Sequence, residues 1–331
     1  MLHVRNLKVD FEVDGRKIRI LHGVDLDLEE GETLGLVGES GCGKSVTCSS
    51  ILRILADNAS VTGEVMYDGI DLLKLPASKM EEIRGKDITM IFQDPLSALN
   101  PRMTVFDIIA EPLRVCHVCE ENEIESRVYG LMDEVGIHRH LAFRYPHEFS
   151  GGQCQRIGIA RALAIEPKLI VCDEPVSALD VSIKAQIINM FGELQEKHGM
   201  AYLFITHDLL TVRYIAHRIA VMYLGNIVEI AEPEDLYENP THPYTQALLS
   251  AIEVPDVDVK TQRIPLVGEV PSAVNVPSGC PFRTRCRFAT EECAKTKPQL
   301  RDIGSGHMVA CLRTEDMKES ITGSEHGEKI Q

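Results

Sequence analysis

The chain has 331 residues, 44% of them apolar, and a formal net charge of −16. That length supports a sizeable core and predicts two domains. The acidity argues against a general nucleic-acid binder and against an anionic lipid surface as the main partner. No apolar run approaches the ~18 residues of a membrane span. The start, Met1 to Arg5, carries no apolar signal core, so export is not expected. Ten cysteines without an export signal predict reduced thiols, or a metal site.

Leu7 to Val13 alternates apolar and polar, as does Ile18 to Ile20, and a turn at Asp14-Gly15 joins them as strands. Val24 to Leu28 alternates again and reads as a third strand. Phe11 is the nearest aromatic that could stack on an adenine, but a core position on a half-buried strand explains it equally well.

Thr33 to Val37 reads as a buried strand. It runs into Gly38-Glu39-Ser40-Gly41-Cys42-Gly43-Lys44-Ser45, which fits G-x-x-x-x-G-K-[ST], the phosphate-binding loop. An amphipathic stretch, 45–55, follows as a helix. The motif therefore sits at a strand-to-helix turn. Its glycines let N–H groups curl around an anion, and the helix start adds partial positive charge. Lys44 is expected to reach the β- and γ-phosphates, and Ser45 to ligate Mg²⁺.

Strands follow at 62–67 and 70–73, then a short helix at 77–86. A buried strand from Ile88 to Phe92 ends at Gln93. A polar residue there faces the crevice where α/β folds bind ligands, so Gln93 can touch Mg²⁺ or the attacking water. Residues 94–149 read as a helical insertion, with helices at 103–115 and 121–136. Between them, Cys116-His117-Val118-Cys119 is an incomplete zinc set and reads as unliganded.

Phe149-Ser150-Gly151-Gly152-Gln153 opens a helix to about 165, with Ser150 as N-cap and glycine N–H groups open to a phosphate. Lys168 to Cys172 is a buried strand ending in Asp173 and Glu174. Asp173 suits a water-mediated Mg²⁺ contact, and Glu174 can polarise a water for in-line attack. Ser177-Ala178-Leu179-Asp180 leads into a helix ending near Gly199. The strand Tyr202 to Ile205 is followed by Thr206-His207-Asp208, where His207 can sense the γ-phosphate. Strands at 219–224 and 227–230 flank a turn at Gly225-Asn226.

Together these residues resemble the ATP-binding subunit of an ABC transporter, over the chain up to about residue 312. The phosphate loop is 38–45, with Val46 after it, and the Q-loop glutamine is Gln93. The signature is Phe149 to Gln153, with phenylalanine where the family usually has leucine. Asp173 and Glu174 are the strand-end pair, 177–180 is the D-loop with Asp180, and His207 is the switch histidine. Asn239 to Leu249 and Pro277 to Arg283 look like the segments that mark oligopeptide/dipeptide importers, a tail that nickel and some sugar importers share.

The resemblance implies an α/β P-loop NTPase core of ABC type at 1–93 and 150–235, which includes an antiparallel β subdomain. It adds a helical subdomain at 94–149, a C-terminal extension at 236–312 with four cysteines, and a polar tail at 313–331 read as disordered. It implies ATP and Mg²⁺ as ligands, and a second ATPase subunit, the same or related. Phe149 and Pro175-Val176 lean toward the second of two different ATPases. In such a pair each ATP lies between the loop of one subunit and Ser150, Gly151 and Gly152 of the other. Closure pushes on two membrane permeases, and an extracytoplasmic binding protein selects the solute. The chain would then lie peripherally on the cytoplasmic face of the membrane. Competing readings are a soluble ABC ATPase of DNA repair or translation and an unrelated phosphate-loop kinase. The first would need long coiled coils or two cassettes, and the second would not need 149–153 or 177–180.

Cys280, Cys286, Cys293 and Cys311 are separated by five, six and seventeen residues in a stretch with little periodic pattern. Cytosolic disulfides are rare, and zinc sites usually carry a closer pair. Irregular spacing suits a [4Fe–4S] cluster; zinc and free thiols stay as alternatives. Arg283, Arg285 and Arg287 lie near the first two thiols and could offset a cluster's negative charge. Some members of the subfamily with a similar cysteine set hold such a cluster.

Overall fold

The computed structural model describes residues 1–252, 263–266 and 268–314. Most of the tail expected to be disordered, from 315 onward, lies outside the described residues. The strands are β1 (Leu2–Val13), β2 (Arg16–Leu28), β3 (Thr33–Val37), β4 (Ala59–Tyr67), β5 (Ile70–Asp71), β6 (Ile88–Ile91), β7 (Leu169–Asp173), β8 (Ala201–Thr206), β9 (Arg218–Tyr223), β10 (Asn226–Ala231), β11 (Arg301–Asp302) and β12 (Met308–Val309). Two sheets form. One is antiparallel, in the order β2-β1-β4-β5. The other runs β11-β12-β10-β9-β3-β8-β7-β6, parallel from β9 to β6.

The second and third strands expected from the sequence are one continuous β2, which corrects that reading. The break in alternation is absorbed as bulges in the ladder with β1. Gly23 takes φ +99° where a Cβ would meet Asn6 Oδ1 at 2.9 Å, and Asn6 itself is left-handed. The later turn also shifts by one residue: Leu224 and Gly225 carry the positive φ angles, and Asn226 already belongs to β10. The helix after the loop spans Lys44–Ile51, shorter than expected, because Arg53 turns left-handed at φ +52°. Helices Pro95–Ala98 and Leu209–Ile215 are too short to show a period and were not anticipated.

The helical subdomain holds Val105–Val115, capped by Thr104, and Ile124–Glu134. Their apolar stripes share one core with the helix Val181–His198 and the buried face of β8, where Phe191 packs edge-on against Tyr202 and Phe204. A separate cluster carries the C-terminal extension: Tyr223 of β9, Tyr244 of the helix Pro243–Ser250, and Phe282. Their ring centroids lie 4.7 to 5.4 Å apart.

A buried polar knot completes this junction. Glu229 is fully buried and accepts from the N–H groups of Thr241 and His242 and from His307 Nε2, at 2.7, 3.0 and 2.7 Å. Asp235 sits on the other ring nitrogen at 2.6 Å. Burial disfavours a charged His307, but the two carboxylates outweigh it and raise its pKa.

Candidate functional site

β3 is buried along its whole length, between β8 and β9. The chain must leave it and enter a helix within a few residues. Gly43 makes this possible: it caps the helix at φ +112°, and a Cβ there would lie 2.8 Å from Leu21 Cδ2. Lys44 is only 5% exposed, and its ammonium donates to the carbonyls of Gly38 and Glu39 at 2.8 and 3.1 Å. Cys42 is buried, and its carbonyl accepts from the Gly225 N–H at 2.7 Å.

Ser45 Oγ donates to Asp173 Oδ1 at 2.9 Å, joining the loop to the end of β7. Burial raises the Asp173 pKa; the Ser45 hydroxyl lowers it, Glu174 raises it again, and Lys44 lowers it. A hydroxyl and a buried carboxylate of this kind suit a hard divalent cation.

Glu174 follows at φ +48°, a left-handed turn that its N–H stabilises by donating to Ile205 O at 3.0 Å. Its carboxylate accepts from Gln93 Nε2 at 3.0 Å and lies 3.2 Å from His207 Nδ1. Gln93, Glu174 and His207 come from just beyond β6, β7 and β8, so adjacent parallel strands bring them together.

These three line one cavity of about 800 Å³ with Ser40, Gly41, Gly43, Lys44, Ser45 and Val46, a size in the range of small-molecule sites. Phe11, Val13, Ile18 and Ile20 form its apolar wall, from the β1–β2 hairpin. The last three were missed by sequence reasoning. The signal was present: alternation on both arms of the hairpin puts them on one face with Phe11.

Ser150, Gly151, Gly152, Gln153 and Asp180 do not line that cavity. Ser150 caps the helix Gly151–Leu163, accepting from the Gln153 N–H at 3.4 Å while Gln153 Oε1 accepts from the Ser150 N–H at 3.0 Å. Asp180 begins the helix Val181–His198 without a side-chain capping bond. Ser150 and Asp180 face solvent.

Cys280, Cys286, Cys293 and Cys311 line a second, small pocket with Phe282 and Phe288. Cys280 donates its N–H to the Cys293 carbonyl at 2.8 Å. Burial pushes the Cys280 thiol up to about 11, and the other three thiols add to the rise. Among the described residues no three His, Cys, Asp or Glu side chains stand close enough to hold one metal ion. Arg283 itself lines this pocket, and Arg287 is close enough to Cys286 to counter, in part, the rise in its thiol pKa that burial causes. Arg283 Nε donates to Ser278 O at 2.9 Å, Arg287 lies 4.6 Å from the Phe288 ring centroid, and Arg285 forms a two-pronged ion pair with Glu39. The expected use of Arg285 beside the thiols is thus replaced by a contact to the phosphate loop.

Comparison with known proteins agrees with this layout. The family description "ABC transporter" matches residues 21–177, and "Oligopeptide/dipeptide transporter, C-terminal region" matches 228–293. The chain is 50% identical to the oligopeptide transport ATP-binding protein OppF of Salmonella typhimurium, over 96% of this chain and 97% of that one. It is 49% identical to a putative peptide import ATP-binding protein of Brucella ovis, over 95% and 98% of the two chains. A dimeric ATP-binding cassette, MJ0796, solved with ADP and Pi, superposes with a TM-score of 0.64 at 28% identity, covering 70% of this chain and 99% of that one. Fold and site define an ATP-binding cassette of the phosphate-loop class. The chain belongs to the ABC transporter ATP-binding proteins, in the branch that carries the oligopeptide/dipeptide transporter C-terminal region. Among the described residues, no helix is long and apolar enough to cross a membrane.

Proposed function

We propose that this chain is the ATP-hydrolysing subunit that powers uptake of oligopeptides or dipeptides through a membrane importer. The observation that carries the proposal is the meeting of Gln93, Glu174 and His207 over the phosphate loop in a chain that also has the peptide-type C-terminal region. Lys44 and the loop N–H groups hold the phosphates. Ser45 and the Gln93 side-chain carbonyl oxygen would hold Mg²⁺, with Asp173 behind Ser45; the hydroxyl–carboxylate contact fits that ion. Bound there, Mg²⁺ would offset phosphate charge. Glu174 takes the proton of the attacking water. Gln93 holds its carboxylate in place, and His207 reports the γ-phosphate from the other side.

The signature belongs to a different site. Ser150, Gly151 and Gly152, exposed or half-exposed and away from the chain's own cavity, cap the ATP of a second ATPase subunit. An apolar groove lined by Leu52, Ile54, Met90, Phe92 and Pro112 lies beside Gln93, between core and helical subdomain. It suits a short helix of a membrane permease, which supports a peripheral position on the cytoplasmic face. Gentle extraction of the membrane complex tests the assignment. Two integral-membrane proteins and a second ATPase are expected with this chain, and bound peptide should raise ATP turnover. A chain that elutes alone and hydrolyses ATP without response to peptides contradicts it; stimulation by nickel instead would move the solute class.

The four-cysteine pocket is read as the ligand set of a [4Fe–4S] cluster, with zinc as the alternative: all four thiols line one pocket, and four Cys thiolates are the usual holders of such a cluster. The elevated thiol pKa of Cys280 means that binding must displace its proton. Its role would be structural, holding a segment with few apolar residues. Anaerobic purification should give about four irons per chain and visible absorption, both absent in Cys286→Ser. Stoichiometric zinc without iron would overturn this, as would a metal-free chain of unchanged stability.

A further inference from the structure

Glu39 is the first variable position of the phosphate loop, and two parts of the C-terminal region grip it. Arg285 Nη1 and Nη2 donate to its two carboxylate oxygens at 2.7 and 3.2 Å. The Arg285 side chain is 6% exposed, so this is a two-pronged pair largely removed from water. Separately, the Glu39 N–H donates to the Tyr244 hydroxyl at 3.0 Å. Tyr244 is itself fully buried against Tyr223 and Phe282, and Phe282 stands three residues before Arg285 on the same cysteine-bearing loop. The Arg285 guanidinium also lies 5.9 Å from the Tyr223 ring centroid.

The Glu39 carbonyl is one of the acceptors that hold the Lys44 ammonium, with the Gly38 carbonyl and Cys42 Sγ. A continuous set of polar contacts therefore runs from Arg285 through Glu39 to the lysine that meets the phosphates. A phosphate loop needs only its own glycines to curl. Here its first turn is held from outside, by residues more than two hundred positions away in sequence.

We infer that Arg285 and Tyr244 are positioning residues for ATP binding, through which the C-terminal extension sets the phosphate loop. The loop is preorganised for the anion, so less ordering remains when the nucleotide binds. The polar contacts join the loop at Glu39 and run on to Lys44, not to Glu174, so the expected effect is on affinity rather than on proton transfer. The inference rests on the ATP reading of this cavity, and nucleotide binding by the unaltered chain is the control that separates the two.

The test uses the full chain in its complex, with ATP affinity, KM, kcat and Tm measured for Arg285→Met, Arg285→Lys and Tyr244→Phe. Arg285→Met should raise Kd and KM for Mg-ATP about tenfold, since small displacements of a positioned group are costly, with kcat within about twofold. Arg285→Lys should fall between, because an ammonium keeps the charge but loses the two-pronged geometry. Tyr244→Phe keeps the ring stack and removes one acceptor, so a rise of about threefold is expected. A purely structural contact would lower Tm in these variants and leave KM unchanged. That result, or an effect on kcat alone, overturns the inference. Should Arg285→Met not fold, Tyr244→Phe decides by the same criteria.

Discussion

Glu174→Gln is expected to lower ATP turnover by about 10²- to 10⁴-fold, the usual contribution of a positioned general base. The amide has the shape of the carboxylate and can still accept from Gln93 Nε2, which lies 3.0 Å away in the native site. It cannot take a proton from water. Glu174 makes no bond to the phosphate loop; its polar contacts are with Gln93, His207 and the Ile205 and Ser177 neighbourhood. ATP affinity should therefore stay near that of the native chain, and the ATP-bound pair should accumulate in its closed form. Single-turnover hydrolysis and size-exclusion chromatography with Mg-ATP read both effects. Near-normal hydrolysis would move the base elsewhere, with His207 the next candidate at 3.2 Å from the same carboxylate.

Lys44→Ala and Ser150→Arg should both abolish most turnover, by different routes. The ammonium of Lys44 is buried at the floor of the cavity and already hydrogen-bonded within the loop. Charge-assisted bonds are worth about 1.5–3 kcal/mol each, so its loss should weaken ATP binding at least tenfold. Ser150 touches no part of that cavity. Ser150→Arg should leave ATP binding to its own loop intact, apart from the local cost of a lost cap, about 1 kcal/mol of helix stability. It should prevent closure over the ATP that this Ser150 caps on the partner subunit, because a bulky cation replaces a small hydroxyl where two surfaces meet a phosphate. Equilibrium ATP binding by each variant separates the two routes.

The strand-loop-helix unit was legible because one short run of sequence specifies it: an apolar strand, spaced glycines, then Lys44 and Ser45. Gln93, Glu174 and His207 were legible for a related reason. Each follows a buried strand, and a parallel sheet places such positions along one edge. Their mutual contact was not readable, since it depends on strand order. The Arg285–Glu39 pair was invisible for the same reason in stronger form. Its partners are 246 positions apart, and no periodicity connects them. The continuity of β2 was hidden because a bulge and a chain break look alike in an alternation pattern. Helices Pro95–Ala98 and Leu209–Ile215 are shorter than the window over which a helical period can be recognised. For the four thiols, the count and spacing could suggest a shared site; only the fold could bring them to one pocket.

The central claim is that each ATP is enclosed by the loop of one subunit and Ser150 of the other. Mixed pairs test it most directly. One subunit carries Lys44→Ala and its partner Ser150→Arg, or the corresponding changes where the partner is a related chain; a second preparation carries both changes on one subunit and none on the other. In the proposed arrangement the split pair spoils the same site twice and keeps one intact site. The doubly changed subunit spoils both sites. ATP occlusion, counted per pair, should therefore be about one in the split pair and near zero in the other. The reverse pattern, with occlusion surviving only when both changes share a subunit, would contradict the account.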